Sequence, residues 1–412
     1  MIGRRFDPTR DREAARRIWL EIGWLHQGRE HAQDIFFEFG AVWVADIRGE
    51  AECLVITAPG TLRYLTEDIP LSLITTVTTS RLARKAGLAS RLTAEAIAHD
   101  ALAGAAVSAL GMFDQGYYNQ LGFGTGTYEL LVGFDPAQLD ISVQPRTPRR
   151  LTADDWQAVH AARLARPRGH GACSMLPAAL THAAMRTPHT PQDGFGFGYF
   201  DGPAGELSHH LWCGSENIQH GPYRISWMVY HTRPQFLELM ALLQSLEDQV
   251  YLVIMREPPG IQLQDLLRRP FRSRRITEKS SFETFARAAA WWQMRICNLP
   301  ACLEHTRLRC DELRFNLVLS DPIERYLDES AGWRGIGGEY VVTLGPASAA
   351  ERGRRAELPT LTASVNAFTR LWLGVRPASS LAFTDDIAGP PELLSRLDEA
   401  LCLPPPHPDW DL

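Results

Sequence analysis

The sequence predicts an α/β chain of the α+β kind, with mixed and mostly antiparallel sheets flanked by helices. Three observations carry that expectation. The 412 residues exceed what a single core usually organises, at roughly 150 residues per domain, so two to three domains are expected. Runs rich in β-branched residues alternate with stretches whose apolar residues recur at helical spacing. A strand, turn, helix, strand order from Leu71 to Met112 recurs from Arg224 to Pro258, which is an internal repeat at the level of fold. Hydrophobic residues at 45% and charged residues at 22% supply material for several cores and exclude a wholly disordered chain.

Taken in order, an extended start at Ile2 to Phe6 leads into a helix from Asp11 to near Arg29, where Ala15, Ile18, Leu20, Ile22 and Leu25 fall close to helical spacing. The runs AVWVADIRGE and AECLVITAPGTL, joined around Arg48-Gly49, and then LSLITTVTTS predict an antiparallel meander. After Ser80 a basic, glycine-containing turn opens a helix with Leu88, Leu92, Ala96 and Ile97 on its buried side, and AAVSALGMF is the strand after it. The stretch FDQGYYNQLGFGTGTYELLVGF supplies a turn, a short helix and a last strand, closing a first domain over residues 1–145. A Pro-rich, polar boundary leads to a helix starting near Thr152 and a second domain over 146–285. In the third stretch, 286–412, AAAWWQMRICNLPACLEH, LRFNLVLSDP and EYVVTLGP read as strand, helix, strand, strand. Short amphipathic helices and the proline-stiffened tail LPPPHPDWDL follow.

Charge and cysteine usage bound the chemistry. Lys and Arg number 42 against 48 Asp and Glu, a net charge of -6, which gives no global attraction to nucleic acid or an anionic membrane. The N-terminus has no apolar run behind its arginines, so neither a secretory signal nor a membrane anchor is expected and the cytoplasm is the expected compartment. The seven cysteines contain no Cys-x-x-Cys, and the spacing of Cys297, Cys302, His305 and Cys310 matches no common zinc pattern, so buried free thiols are expected and no metal. The sequence also lacks Gly-x-Gly-x-x-Gly at the basic turn, a P-loop, and a Gly-x-Ser-x-Gly elbow.

Two segments carry candidate chemistry. Arg84-Lys85-Ala86-Gly87-Leu88-Ala89 lies between a β-rich run and a helix, where glycine permits close backbone approach and the helix start offers unpaired N–H groups. It reads as an anion site suited to a pyrophosphate, or as a solvated basic helix start. Tyr118 in Phe113-Asp114-Gln115-Gly116-Tyr117-Tyr118-Asn119-Gln120-Leu121-Gly122-Phe123 reads as a proton donor, because a phenol of pKa about 10 holds its proton at neutral pH, or as a core aromatic. Tyr117, one position earlier, is expected to pack.

These segments give the chain its resemblance. Arg84-x-x-Gly87-x-Ala89 resembles the pyrophosphate loop of GCN5-related N-acetyltransferases, and Tyr118-x-x-Leu121-Gly122-Phe123 resembles that family's closing tyrosine signature. The resemblance implies two such folds in tandem, with acetyl-coenzyme A as cosubstrate and no metal. Val77, Thr78 and Thr79 would receive the pantetheine arm, and the loop from Arg84 through Lys85, Ala86, Gly87, Leu88 and Ala89 to Ser90 would take the pyrophosphate. Phe113 and Asp114 would border the thioester, and Tyr118 would protonate the leaving sulfur. The second copy has Tyr230-His231-Thr232-Arg233-Pro234 in place of the loop, without glycine, and is expected to bind no coenzyme.

Across nearly the whole chain the order resembles the enhanced-intracellular-survival type of this family, which adds a sterol-carrier-like third domain. WWQMRICNLPACLEH, LWLGVRPASSLAF and LLSRLDEAL carry that likeness. It implies that the α-carboxylate of Leu412 is the general base, delivered by the tail, and that the chain is a homo-oligomer, a hexamer. Three departures stand out: Arg84-Lys85-Ala86 replaces a run of arginines, Phe113-Asp114 replaces a small-acidic pair, and Leu412 replaces a terminal aromatic.

The activity implied is direct acetyl transfer to a primary amine of a cationic small molecule, aminoglycoside-like or polyamine-like, or of a lysine. A backbone amide near Thr79 would hold the oxyanion, and Asp409 and Asp411 would make the mouth acidic. Trp24, His26 and Phe36 to Phe39 line the acceptor pocket or pack in the core. The rival readings are a non-catalytic regulatory protein that binds coenzyme A or a lipid on the same scaffold, and an aminoacyl or peptidoglycan-bridge transferase, which the acidic balance disfavours.

Overall fold

The computed structural model describes residues 2–25, 27, 30–186, 194–269, 271 and 277–412. They divide into two compact units. The first comprises residues 1–127, 169–177 and 290–412, and the second residues 128–168 and 178–289.

The first unit opens with β1 (Gly3–Arg5) and α1 (Pro8–Ile22). Asp7 starts α1 by accepting from the Thr9 amide at 2.8 Å, Pro8 occupies the first turn, and Gly23 at φ 79° ends it. The helix is therefore shorter at its C-terminal end than the expected Asp11–Arg29, because a left-handed glycine interrupts the apolar spacing after Ile22. Next come β2 (Ala41–Ile47), β3 (Glu50–Tyr64) and β4 (Glu67–Thr79), the expected antiparallel meander. Then α2 (Leu88–Leu102) crosses to β5 (Val107–Gly111), which runs parallel to β4. The short α3 (Gln115–Asn119) and β6 (Gly124–Thr125) follow.

The second unit starts with β7 (Glu129–Phe134), β8 (Arg149–Leu151) and α4 (Trp156–Ala165), after which β9 (Cys173–Met175) returns to the first unit beside β3. The second unit continues through α5 (Ala178–Arg186), β10 (Phe195–Tyr199), β11 (His209–Ser215), β12 (Tyr223–Val229), α6 (Arg233–Gln244), β13 (Val253–Arg256) and β14 (Phe285–Ala289). Its sheet runs β14-β7-β13-β12-β11-β10-β8, and the pair β12–β13 is parallel with α6 between them. The repeat expected from sequence is thus present as two parallel strand, helix, strand crossings, β4-α2-β5 and β12-α6-β13.

Back in the first unit are β15 (Trp292–Ile296), α7 (Leu299–Glu304), β16 (Leu313–Ser320), β17 (Gly338–Leu344), β18 (Ala349–Arg352), β19 (Thr360–Ser364), α8 (Val365–Trp372), α9 (Ala378–Thr384), β20 (Ile387–Ala388) and α10 (Pro391–Ala400). A five-stranded sheet runs β18-β17-β16-β19-β20.

Two strands do not lie where the sequence reading puts them. β7, expected to close the first domain, pairs with β13 and β14 in the second sheet. β15, expected to open the third domain, lies between β5 and β6 and completes the first sheet, whose path is β1-β2-β3-β4-β5-β15-β6. The physical reason is burial. All five residues of β15 are buried, so this strand needs a neighbour on each edge and cover on both faces.

The thiol expectation holds in part. Cys53, Cys173, Cys213, Cys297 and Cys302 are buried free cysteines, whereas Cys310 is half-buried and Cys402 exposed. Burial pushes the Cys297 thiol up to about 11. Among the described residues no helix is long and apolar enough to cross a membrane.

Candidate active site

The site begins where two strands part. β4 and β5 are in parallel register from Leu71 opposite Val107 to Ile74 opposite Leu110, and there the pairing stops. Immediately beyond, the β3–β4 ladder shifts register between Ile56 and Thr57, leaving Thr75 as the extra residue, and the Thr75 hydroxyl donates to the Ile56 carbonyl at 3.3 Å. A bulge bends its strand, so β4 leaves β5 at this point. Thr75 to Thr79 pair with β3 on one side only. Val77 and Thr79 are half-buried on this free edge, and Thr78 is buried with an unpartnered hydroxyl. An open strand edge of this kind can hydrogen-bond an extended amide-bearing chain.

The loop after β4 is exposed from Arg84 to Gly87, while Leu88, Ala89 and Ser90 are half-buried. Lys85 at φ 64° and Gly87 at φ 76° are both left-handed, and no side chain caps α2. A Cβ on Gly87 would meet nothing within 4 Å, so glycine is needed there for backbone conformation and not for room. The first amides of α2 are thus directed outward beside two cations, a cradle for a polyanion. In the second unit the equivalent start, α6, is closed by its own side chains. The Thr232 hydroxyl accepts from the Gln235 amide, and Gln235 Oε1 accepts from the His231 amide at 2.7 Å. The two copies therefore differ in whether the helix amides are free, and only the first has the cradle.

Across the gap stands Tyr118 on α3. Asp114 starts this helix by accepting from the Gly116 and Tyr117 amides at 2.9 and 3.1 Å, and Gly122 at φ 86° ends the turn after it. Tyr118 is 3% exposed, and its ring meets Tyr117, Phe113 and Phe123 edge-on. Burial first, and then the neighbouring Tyr117 and Asp114, raise its phenol pKa above the ordinary value, so it keeps its proton across the neutral range. Phe113, expected to border the thioester, is 80% exposed and touches the Tyr118 ring from outside. Tyr117 does more than pack: its hydroxyl accepts from Ser90 at 3.4 Å, linking the tyrosine turn to the first turn of α2. Beneath them Cys53 lies 3.5 Å from the Thr79 hydroxyl, with its thiol pushed up to about 11 by burial.

The tyrosine turn is held by residues far along the chain that the sequence reading did not single out. Gln293 on β15 donates to Asn119 Oδ1 at 2.8 Å. Arg295, also on β15 and fully buried, donates to the Leu121 carbonyl and pairs with buried Asp321 at 2.7 Å. Asn366 on α8 donates through Nδ2 to the Asn119 and Phe123 carbonyls at 2.9 and 2.8 Å. The available signal was the polar Gln293 and Arg295 inside the otherwise apolar run around Trp292, since a polar group in a central strand requires a partner.

The tail also converges here. Thr127 Oγ1 donates to the Pro406 carbonyl at 2.5 Å, the His407 amide donates to the His170 carbonyl, and the Cys173 amide donates to the Pro408 carbonyl at 2.7 Å. Trp410 is buried. The chain end then reaches Gly111, the last residue of β5. A Cβ built there would overlap the Leu412 carboxyl group, its carbon being only 2.8 Å away. Glycine at 111 is what lets the terminal carboxylate lie against the end of β5, beside the gap that β4 leaves.

The aromatic residues near the N-terminus divide differently. Phe37 stacks on Trp19 at 5.0 Å and Phe36 meets Trp19 and Phe39, which is core packing, while Trp24 is half-exposed. His26 lies outside the described residues.

The sequence matches no protein-family model and no curated protein. Solved structures share the fold. A GCN5-related N-acetyltransferase of Anabaena variabilis superposes with a TM-score of 0.79 at 14% identity, covering 99% of this chain and 98% of that one. A probable N-acyltransferase of Enterococcus faecalis gives 0.76 at 16%, covering 97% and 96%. The Eis1 protein of Mycobacterium abscessus gives 0.73 at 12%, covering 100% and 99%. The chain is similar to these proteins over its full length, and at such identities the likeness is one of fold.

Proposed function

We propose that this chain is an N-acetyltransferase that uses acetyl-coenzyme A and acetylates a primary amine by direct attack. The observation that carries the reading is the meeting, at one strand gap, of a chain terminus and a buried tyrosine, with an uncapped basic helix start on the strand beside it. In this reading the cosubstrate's pyrophosphate lies on the amides of Gly87 to Ser90 with Arg84 and Lys85 near it, and its pantetheine arm pairs with the free edge of Val77 to Thr79.

The chemistry follows from these groups. The amine nitrogen attacks the thioester carbonyl, forming the C–N bond, and a β4 amide near Thr79 stabilises the oxyanion. The intermediate collapses with cleavage of the C–S bond, and the sulfur takes the Tyr118 proton. The proton lost by the nitrogen passes to the Leu412 carboxylate and from it to water. A free α-carboxylate has a pKa of about 3.5 and is a weak base, so its main contribution is to hold the positive charge of the attacking ammonium close to the carbonyl. The negative terminus and the nearby Asp409 and Asp411 favour a cationic acceptor of the aminoglycoside or polyamine type, or an exposed lysine. The five-stranded sheet with its helices takes the place of the sterol-carrier-like domain, and the expected assembly is a hexamer, to be read by light scattering.

The test is amine-dependent thiol release from acetyl-coenzyme A, over a panel of aminoglycosides, polyamines and lysine peptides. It compares wild type, Tyr118→Phe and a chain lacking Asp411 and Leu412. Turnover that falls by about 10² or more in both variants is the expected result. Coenzyme binding with no acetylated amine would instead support a regulatory protein.

A further inference from the structure

A second cavity, of about 630 Å³, opens on the five-stranded sheet and is lined by none of the residues assigned above to catalysis or coenzyme binding. We propose that it binds a small organic ammonium ligand, a diamine or polyamine. The proposal rests on the cavity itself and stands whether or not the chain is an acetyltransferase.

Its size excludes a bare ion: at about 30 Å³ per water it has the room of some twenty waters, within the range of small-molecule sites. Its lining contains no Lys, Arg or His, and four of its residues are carboxylates, Asp321, Glu324, Asp385 and Asp386. Two of these are already engaged. Asp321 pairs with Arg295, and Asp385 pairs with Arg370 at 2.6 Å. Glu324 and Asp386 have no ion-pair partner among the described residues, and both are exposed at the cavity.

The independent observation is Asn366. It is 9% exposed and lines the cavity, and its Nδ2 is committed to the Asn119 and Phe123 carbonyls. Its Oδ1 has no hydrogen-bond partner among the described residues. A buried amide oxygen without a donor is costly, and a ligand N–H supplies one. The wall is also shaped to keep a carboxylate in place: a Cβ on Gly337 would come within 2.9 Å of Glu324 Oε1. Every uncommitted side-chain group named here is an acceptor, and the two free ones are anionic. The complementary ligand is therefore rich in donors and cationic. Because Asn366 and Asn119 both line the cavity and meet each other, an occupant bears directly on the clamp behind Tyr118.

The experiment is calorimetric titration of the full chain with spermidine, with sorbitol as the neutral control. It compares wild type, Glu324→Gln with Asp386→Asn, Asp386→Asn alone, and the chain lacking Asp411 and Leu412. Expected are spermidine binding that the double variant weakens at least about tenfold and the single rim variant weakens less, no sorbitol binding, and a site that survives removal of the tail. The thermal midpoint of the rim variant, whose side chain is exposed, stays that of wild type. Absence of spermidine binding, equal affinity in wild type and both carboxylate variants, or binding abolished by tail removal alone would each overturn the proposal. Failure of amine acetylation leaves it standing.

Discussion

Gly111→Ala places one methyl group where the structure has a carboxylate. The built Cβ lies 2.8 Å from the Leu412 carboxyl carbon, whereas carbon atoms settle at about 3.5–4.0 Å, so the terminus must retreat by about 1 Å. A misplacement of about 1 Å in a reacting constellation costs on the order of 10²-fold in rate, which is about 2.7 kcal/mol of barrier. The expected outcome is a fall of that order in kcat/KM for amine acetylation. Coenzyme affinity and the thermal midpoint stay near wild type, because the tail keeps its bonds at Thr127, His170 and Cys173. Gly169→Ala is the control, since a Cβ there meets nothing within 4 Å. The assay is thiol release with acetyl-coenzyme A and the best amine of the panel. If Gly111→Ala turned over like Gly169→Ala, the terminal carboxylate would have no part in the chemistry.

Three further outcomes follow from other groups. Gly87→Ala forces a left-handed alanine at φ 76°, a strain of about 1–2 kcal/mol, so coenzyme A binding by calorimetry is expected to weaken roughly tenfold while Gly49, the left-handed glycine of the β2–β3 turn, gives no such effect when replaced. Arg295→Met strands the buried Asp321 carboxylate, and loss of one partner of a buried pair costs about 3–5 kcal/mol, visible as a lower midpoint in chemical denaturation together with reduced kcat. In the second unit, Arg146 beside Glu238 holds that carboxyl down to about 2. The folded state therefore binds fewer protons than the unfolded one between the ordinary carboxylate pKa and about 2, and the stability this confers is present above the ordinary value and lost as pH falls through that window. Glu238→Gln is expected to flatten the acid limb of a denaturation profile there, and an unchanged limb would assign it to other carboxylates.

The parts of the site that were legible in sequence are those whose chemistry is local. Arg84 to Ala89 carries its own signal, a glycine and two cations at a helix start, and the Tyr118 turn is framed by Asp114 as cap and Gly122 as stop. The tail announced itself through three prolines and a tryptophan that turned out to be buried. What could not be read was sheet membership. Trp292 to Ile296 and Glu129 to Phe134 are recognisable strands, yet nothing in either segment states which edge it will join, because pairing is decided by a partner some 180 residues away for β15 and over 100 for β13 with β7. Gly111 was equally silent: a glycine at a strand end has many ordinary meanings, and only the position of Leu412 gives it this one. Asn366 and Arg295 look like unremarkable polar residues until the carbonyls they hold are known.

The interposed strand β15 also dictates an order of events during synthesis. β5 and β6 emerge early, yet no direct ladder joins them; each waits for a strand that the ribosome makes after residue 290. Every residue of the second unit has been translated before that point. The inserted unit can therefore reach its native state on the nascent chain while its host still displays two unpaired strand edges, the kind of surface that recruits chaperones and aggregates when they are scarce. A reading frame cut short near residue 290 would leave the tyrosine turn without its clamps and the first sheet split, whatever the state of the rest.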